Sequence, residues 1–361
     1  DLHYPLRRQR QMCIRDRTGT IEYFKKDSKD LLFDVSQPAS VGVTSIIQNI
    51  GKVTNSGVEI ELDYNAFKNK DWSVSVGANA TFVKNKIKNL PATMKENGYI
   101  SGSKKWLEGK SIYEFWLRQW HGVDPQTGDG LYVADVSKYN QGNIGTGDGN
   151  ITQSQFDEYK KTVVTIDGKE LTNSYTYAKY DFSGSSIPDV FGGFNVRVSY
   201  KNFDLAAVFS YQLGGQVLDT NYATMMSMTE FGYAQSPDLL KAWKQAGDIT
   251  EVPRIDNSAA HTTNIGQSYS TRWLTSSDYL NLRSVTIGYQ FPKAWLSKVM
   301  LKSARLNLTA ENLFMLKARQ GLNPMANYSG VTYNEYMPSR NITLGCLLYT
   351  SPSPRDGATS R

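Results

Sequence analysis

Glu59, Glu61 and Asp63 sit two residues apart in one short run. Paired carboxylates can act as general acid and base in glycoside hydrolysis, but this spacing places all three on one face of a single strand. A wetted wall explains that without catalysis. Arg305, Asn307, Thr309 and Glu311 form a second polar stripe of the same period. Gly145 to Thr152 has the outline of a calcium loop, with Asp148 as an oxygen ligand and Gly149 at the turn. The remaining ligand positions fall on Ile144, Thr146 and Gln155, so one carboxylate is left where a calcium loop needs several, and a glycine-rich turn is the simpler account. No strand–turn–helix context or Gly-Lys-Ser/Thr follows these glycines, so they are not a phosphate-binding loop. His121 and His261 stand 140 positions apart without neighbouring ligands, and no G-x-S-x-G elbow accompanies them. The 3 His and 2 Cys argue against zinc or iron–sulfur centres. No catalytic residue and no cofactor are expected.

Both ends of the 361-residue chain look foreign to the rest. Met12 to Arg17 can be encoded by ATGTGTATAAGAGACAG plus one base, and the reverse complement of that string, in another frame, encodes Cys346 to Thr350. The pattern resembles a transposon-type sequencing adapter read in opposite directions. Residues 1–17 and 346–361 are therefore expected to be non-native tails, leaving 18–345 as the credible chain. The first tail carries five Arg and two Asp, the second two Arg and one Asp. The net charge of +6 falls to +2 for 18–345, which removes the support for nucleic-acid binding. Both cysteines also lie in the tails.

Between the tails the dominant signal is strict alternation of apolar and polar residues, the mark of strands with one apolar face. It runs through Val58–Asn65, Trp72–Phe82, Phe194–Tyr200, Val285–Phe291 and Ala304–Glu311, and more weakly through Thr20–Lys26, Tyr113–Trp120, Leu205–Gln212 and Arg340–Gly345. Several segments reach the length of a membrane-spanning strand, while no apolar run approaches a membrane helix. Alternation alone fits either a β-sandwich with a solvated face or a transmembrane barrel with a wet lumen. In the barrel, Val58, Ile60, Leu62 and Tyr64 meet lipid, while Glu59, Glu61, Asp63, Arg305, Asn307 and Glu311 face the lumen. Aromatics at strand ends, including Trp72, Phe82, Tyr200 and Tyr289, suit an interfacial girdle and equally suit ordinary strand propensity. Connections also differ sharply in length. Phe67–Asp71 and Lys201–Asn202 are short, whereas 84–111, 121–190 and 213–279 are far longer than compact soluble domains favour. A short helix is expected at Ser236–Gly247. Trp106, Trp116, Trp120, Tyr132 and Tyr139 in and around the first two long loops, and Tyr222, Phe231, Tyr233 and Trp243 in the third, can stack on a sugar or a partner, or can pack the loops.

Tyr23-x-Lys25 with Asp30-Leu-Leu, the run Asn49–Leu62, and the pair Gly122–Gly130 and Gly147–Thr152 resemble, in order, stretches of the SusC/RagA family of TonB-linked outer-membrane proteins. So do Ile187–Phe194 with Tyr200–Leu205, Tyr279–Pro292, and Ala310–Phe314. The resemblance covers nearly all of 18–345. It implies an all-β fold, the C-terminal part of an antiparallel transmembrane β-barrel of the TonB-dependent transporter type, incomplete and open, with long extracellular loops. It further implies import of an oligosaccharide or peptide nutrient through the outer membrane of a Bacteroidetes-type bacterium, without covalent chemistry. A SusD-like surface lipoprotein is the implied partner at the loops. The TonB–ExbB–ExbD complex would act through a plug and TonB box that these residues do not include. Outer-membrane lipid is the surrounding solvent. A siderophore or cobalamin receptor, or a soluble β-rich carbohydrate-binding module, are the rival readings; Pro188 with Gly192-Gly-Phe194, and Asp124-Pro with Thr127-Gly, speak against the first.

Overall fold

The computed structural model describes residues 6–14, 16–36, 45–147, 149–227, 232, 234–256, 258, 269–297 and 301–350. The chain opens with four strands, β1 (Leu6–Ile14), β2 (Arg17–Ser36), β3 (Ser45–Lys68) and β4 (Trp72–Asn89). A connection of residues 90–189 then holds β5 (Tyr99–Ser101), β6 (Lys104–Trp106), β7 (Glu114–Arg118), β8 (Trp120–Val123), β9 (Gly130–Val133), helix α1 (Gln153–Thr162), β10 (Val163–Ile166), β11 (Lys169–Thr172) and β12 (Tyr180–Ser185). β13 (Val190–Tyr200) and β14 (Phe203–Leu213) follow. A second long connection carries β15 (Gln216–Leu218), helix α2 (Thr220–Met225) and β16 (Leu274–Ser276). β17 (Tyr279–Gln290), β18 (Leu301–Glu311), β19 (Met315–Lys317) and β20 (Asn341–Thr350) complete the order.

Nine strands form one antiparallel path, β1-β2-β3-β4-β13-β14-β17-β18-β20, with β19 joined to β17. Among the described residues no pairing links β1 to β20, so the wall is open along both edges. Every strong alternating segment lies in this wall. Several strands run longer than the alternation marks: β3 begins before Val58, and β4 continues past Phe82 to Asn89. β1 pairs along its length with β2, and β20 continues from Asn341 to Thr350 against β18.

Two expectations are corrected. Tyr113–Trp120 is no wall strand; it divides between β7 in the small sheet β12-β7-β6-β5 and β8 in the sheet β10-β11-β9-β8. The two long loops expected on either side of it are therefore one connection. The helix expected over Ser236–Gly247 shortens to a single 3-10 turn at Pro237–Lys241, started by the Ser236 side chain accepting from the Asp238 N–H. The longer helix is α1, whose Thr152 and Gln155 form a reciprocal capping box.

The long connections carry cores of their own. Phe115, Leu117, Leu218, Met226, Trp273 and Val331, drawn from all three of the longest, bury one another. Tyr139, Ile151, Tyr159 and Tyr177 form a second core around α1. Val53, Ile87, Leu90 and Met94 form a third where β3 and β4 meet the cap. The result is a wall with short turns at one end and a folded cap at the other.

Candidate functional site

Register across the wall sorts its side chains into rows. One row reads Tyr64–Val76–Val196–Ala207–Val285–Ala310–Ile342. Another reads Phe67–Val74–Val198–Leu205–Ile287–Leu308–Leu344. These rows share one face of the sheet and carry no charge from β3 to β20; beyond them Arg17 of β2 pairs with Tyr64, its guanidinium 4.9 Å from that ring. At the short-turn end of that face lies a row of rings, Trp72–Tyr200–Phe203–Tyr289. The rings touch along the row: Trp72 and Tyr200 are 4.3 Å apart by centroid, Phe203 and Tyr289 4.5 Å, and Tyr289 and Phe291 5.1 Å. At the cap end the same face carries Tyr23–Val58–Phe82.

The opposite face is polar. Glu59, Glu61 and Asp63 are exposed there, beside Thr81, Asn79 and Gly77 of β4. A Cβ on Gly77 would meet the ends of the Asp63 and Asn195 side chains, which close over it. The row below reads Asn65–Ser75–Arg197–Ala206–Thr286–Thr309–Thr343, with the Thr286 and Thr309 hydroxyls 3.1 Å apart. Arg305 donates to Asp204 at 2.7 Å and to Asn307 Oδ1 at 2.7 Å, and Glu311 accepts from Asn341 at 3.2 Å. The sequence-predicted stripes thus share one face, as a continuous polar surface with both signs of charge. Val208 interrupts it, as do Phe24, Val83 and Phe191 toward the cap. A bulge between Val208 and Phe209 in the pairing with β17 shifts the register there.

The glycines of the motifs have local causes. Tyr211 lies opposite Gly192 and donates to the Asn79 carbonyl at 3.0 Å, where a Cβ on Gly192 would strike that same carbonyl. Gly57 leaves room for the Phe24 ring. Asn85 locks the cap to the wall: it donates to Asn55 Oδ1 at 2.7 Å and accepts from Ser111 Oγ and the Ile112 N–H, each at 3.0 Å.

The aromatic candidates are distributed through the cap rather than gathered in one cleft. Tyr132 has no exposed surface and Tyr139 is buried against Tyr159 and Tyr177, so both pack cores and neither presents a face to a ligand. Trp106 packs on the core at Ile87 and donates to the Ile112 carbonyl at 3.1 Å. Trp116 is half-buried, stacked on Tyr180 and edge-on to Phe182, with the Lys105 ammonium 4.1 Å from its centroid. Trp120 lies between Tyr132 and Arg272, the guanidinium 4.7 Å from its ring. Trp243 donates to the Pro125 carbonyl at 2.9 Å and closes over Gly128, tying the Asp124–Asp129 turn to the second connection. Asp124 holds that turn by accepting from the Gln126 N–H at 2.8 Å and the Thr127 hydroxyl at 2.9 Å. Asp148 and His261 lie outside the described residues, as do Phe231 and Tyr233, and His121 is exposed.

Charged groups inside the cap act structurally. Burial pushes the Lys104 ammonium down to about 7, over the Phe115 ring and donating to the Tyr113 carbonyl at 2.9 Å. Arg272 is pushed down to about 10 by burial and stays charged at neutral pH. Asp219, nearly buried, pairs with Arg319, whose guanidinium lies over Tyr222. The sequence did not single out Lys104, Arg272 or Arg319. Arg272 meets Trp120 from 152 positions away and Arg319 meets Asp219 from 100.

Residues 14–142 match the family model described as TonB dependent receptor-like, beta-barrel. The TonB-dependent receptor P3 of Formosa agariphila is 27% identical over 344 residues, covering 90% of this chain and 32% of that protein. The TonB-dependent receptor SusC of Bacteroides thetaiotaomicron is 24% identical, with 92% of this chain and 30% of that protein covered. The RagAB peptide transporter structure superposes with a TM-score of 0.71 at 23% identity, over 92% of this chain and 33% of that chain. The chain spans about a third of the length of these relatives. It is thus similar to TonB-dependent receptors of the SusC/RagA type, and its wall has the fold of their barrel.

Proposed function

We propose that this chain forms the wall and extracellular cap of a TonB-dependent importer in the outer membrane of a Bacteroidetes-type bacterium. The cargo is a nutrient too large for a simple porin, an oligosaccharide or a peptide. The observation that carries the reading is the set of rows that run uncharged from β3 to β20 and are bounded at the short-turn end by contacting rings. Lipid tails accept such a face, and rings settle at its boundary. The polar face, with Glu59, Glu61, Asp63, Arg305, Asn307 and Glu311, lines a water-filled lumen.

Transport then needs no bond chemistry. Cap and lumen groups capture the nutrient, and a plug moved through TonB–ExbB–ExbD lowers their affinity on the periplasmic side. A SusD-like lipoprotein seats on the cap. Residues 1–17 and 346–361 stay outside this assignment as non-native tails. The upstream sequence on an uninterrupted contig tests that part, since it should encode the plug and TonB box.

Detergent dependence tests the wall. A native-length version, with both edges of the wall closed, should fold only in detergent or bilayer. A chain that stays soluble, monomeric and folded without either is a carbohydrate-binding module or another soluble β-protein.

A further inference from the structure

The uncharged face of the wall does not end in water at the cap side; it ends in lysines. On β2, β3 and β4 the outward rows run Ile21–Ile60–Ala80, then Tyr23–Val58–Phe82, then Lys25–Ser56–Lys84, then Asp27–Thr54–Lys86. The alternate residues of β4 point the other way and are covered: Ile87 is 1% exposed in a dry cluster, and Asn85 is bonded to the cap. Lys84 and Lys86 are therefore exposed on the side of the apolar rows, not on the lumen side.

The wall is also notched there. β13 pairs with β4 only as far as Thr81. Farther along, residues 109–110 take over, with hydrogen bonds of 2.9 and 2.8 Å between Gly109, Lys110 and Ile87. Between these seams lies a recess of about 650 Å³. Tyr23 and Phe82 form its apolar floor, and Ser56, Lys84, Lys86 and Lys110 its polar side. Asp27 is already engaged by Thr54 at 2.7 Å and Lys52 at 3.2 Å. Glu114 and Asp189 also line the recess. Burial raises the Glu114 carboxyl above its ordinary value, and the Asp189 carboxylate is turned against Gly214. Lys84 and Lys86 make no hydrogen bond or ion pair among the described residues.

We propose that this recess binds the phosphorylated headgroup of an outer-leaflet lipid, with its acyl chains lying along the Tyr23–Val58–Phe82 and Ile21–Ile60–Ala80 rows. The inference rests on the membrane-wall reading above. A lipid fits better than a soluble anion because the cationic side is continuous with the apolar floor. Lys25 lies outside the recess, two strands and about 10 Å from Lys84 across the sheet, where it can meet a second phosphate of the same headgroup.

The test uses the full chain in phosphatidylcholine nanodiscs doped with diphosphoryl lipid A, monophosphoryl lipid A or phosphatidylglycerol, with bound lipid read by native mass spectrometry. Each lysine near an anionic headgroup contributes about fivefold in binding. The triple variant Lys84→Gln, Lys86→Gln, Lys110→Gln should therefore retain diphosphoryl lipid A roughly a hundredfold less well. The Lys→Arg triple should retain it, and Lys68→Gln with Lys70→Gln at the opposite end should change nothing. Equal retention by the glutamine variant overturns the site. So does competition by inorganic phosphate at the concentration at which lipid A binds, which assigns the lysines to a free anion. Insertion is scored separately by protease protection in undoped nanodiscs. Failure to insert sinks the wall and this site together, whereas insertion with no preference for phosphorylated lipid sinks the site alone.

Discussion

Replacing Val196 with arginine places a charge in the middle of the uncharged face. Val196 pairs with Val76 on one side and Ala207 on the other. On β4 the two aromatic boundaries are Trp72 and Phe82, about ten residue steps apart. At ~3.3 Å per residue and a tilt of ~40°, that span is ~25 Å along the membrane normal, the height of a barrel's apolar band. Val76, and with it Val196, then lies ~10 Å above the lower rings, within a few ångströms of the midplane. Arginine at that depth costs about 2–4 kcal/mol, or roughly 30- to 900-fold in the folding equilibrium. Thr309→Arg, one row away on the polar face, should cost less than ~1 kcal/mol, as lumen positions do. The assay is urea titration of the chain in vesicles, followed by tryptophan fluorescence, with heat-dependent gel mobility as a check on insertion. Equal costs for the two variants would refute the assignment of faces. A Val196→Arg penalty that persists unchanged in buffer without lipid would refute it too, because a protein core would then be what the valine fills.

Other outcomes follow from the cap and the polar face. Lys104 titrates near 7 when folded and near its ordinary value when unfolded, so between those values the unfolded chain binds more protons and local stability rises with pH, by at most ~1.4 kcal/mol per unit. Lys104→Met should abolish that rise and slow amide exchange over 104–118 at neutral pH; an unchanged pH profile would contradict the burial of its ammonium. Gly128 has φ of 72° beneath the Trp243 ring, so Gly128→Ala should cost about 2–4 kcal/mol from backbone strain and crowding, read as faster proteolysis of the cap. Asp204→Asn removes a half-exposed ion pair and should cost under ~1 kcal/mol. Gly288→Ala should part the same pair at a similar small cost, because its Cβ would meet only the movable ends of Asp204 and Arg305.

How legible the molecule is from its sequence depends on which interactions are local. Alternation in Val58–Asn65 or Phe194–Tyr200 states which side chains share a face, because the period of a strand is fixed by its backbone. Which strands neighbour each other is also partly local: Lys201–Asn202 is too short for anything but a hairpin. The bulge at Arg283, opposite Phe209, leaves a trace: Leu280 and Leu282 alternate as cleanly as Val285 to Tyr289, but the phase slips across Arg283 and Ser284. The cap defeats the same reasoning. Phe115, Leu218, Trp273 and Val331 share one core from three separate connections, so no window of sequence shows that these loops are folded. For the same reason Tyr132 reads as a ring free to stack on a ligand, although it has no exposed surface. Helix α1 was within reach, through Thr152 and Gln155 at capping-box spacing. The Pro237 turn shows the opposite error: an apolar triad of Leu239, Leu240 and Trp243 suggests a helix, but Leu240 is exposed and the turn ends at Lys241.

Spin labels placed singly at each residue from Phe194 to Tyr200, in a cysteine-free background and in vesicles, test the faces most directly. Labels at 194, 196, 198 and 200 should collide with dissolved oxygen, and those at 195, 197 and 199 with a water-soluble nickel chelate. Protection of the even positions from both reagents would place them in a dry protein interior and contradict the membrane wall.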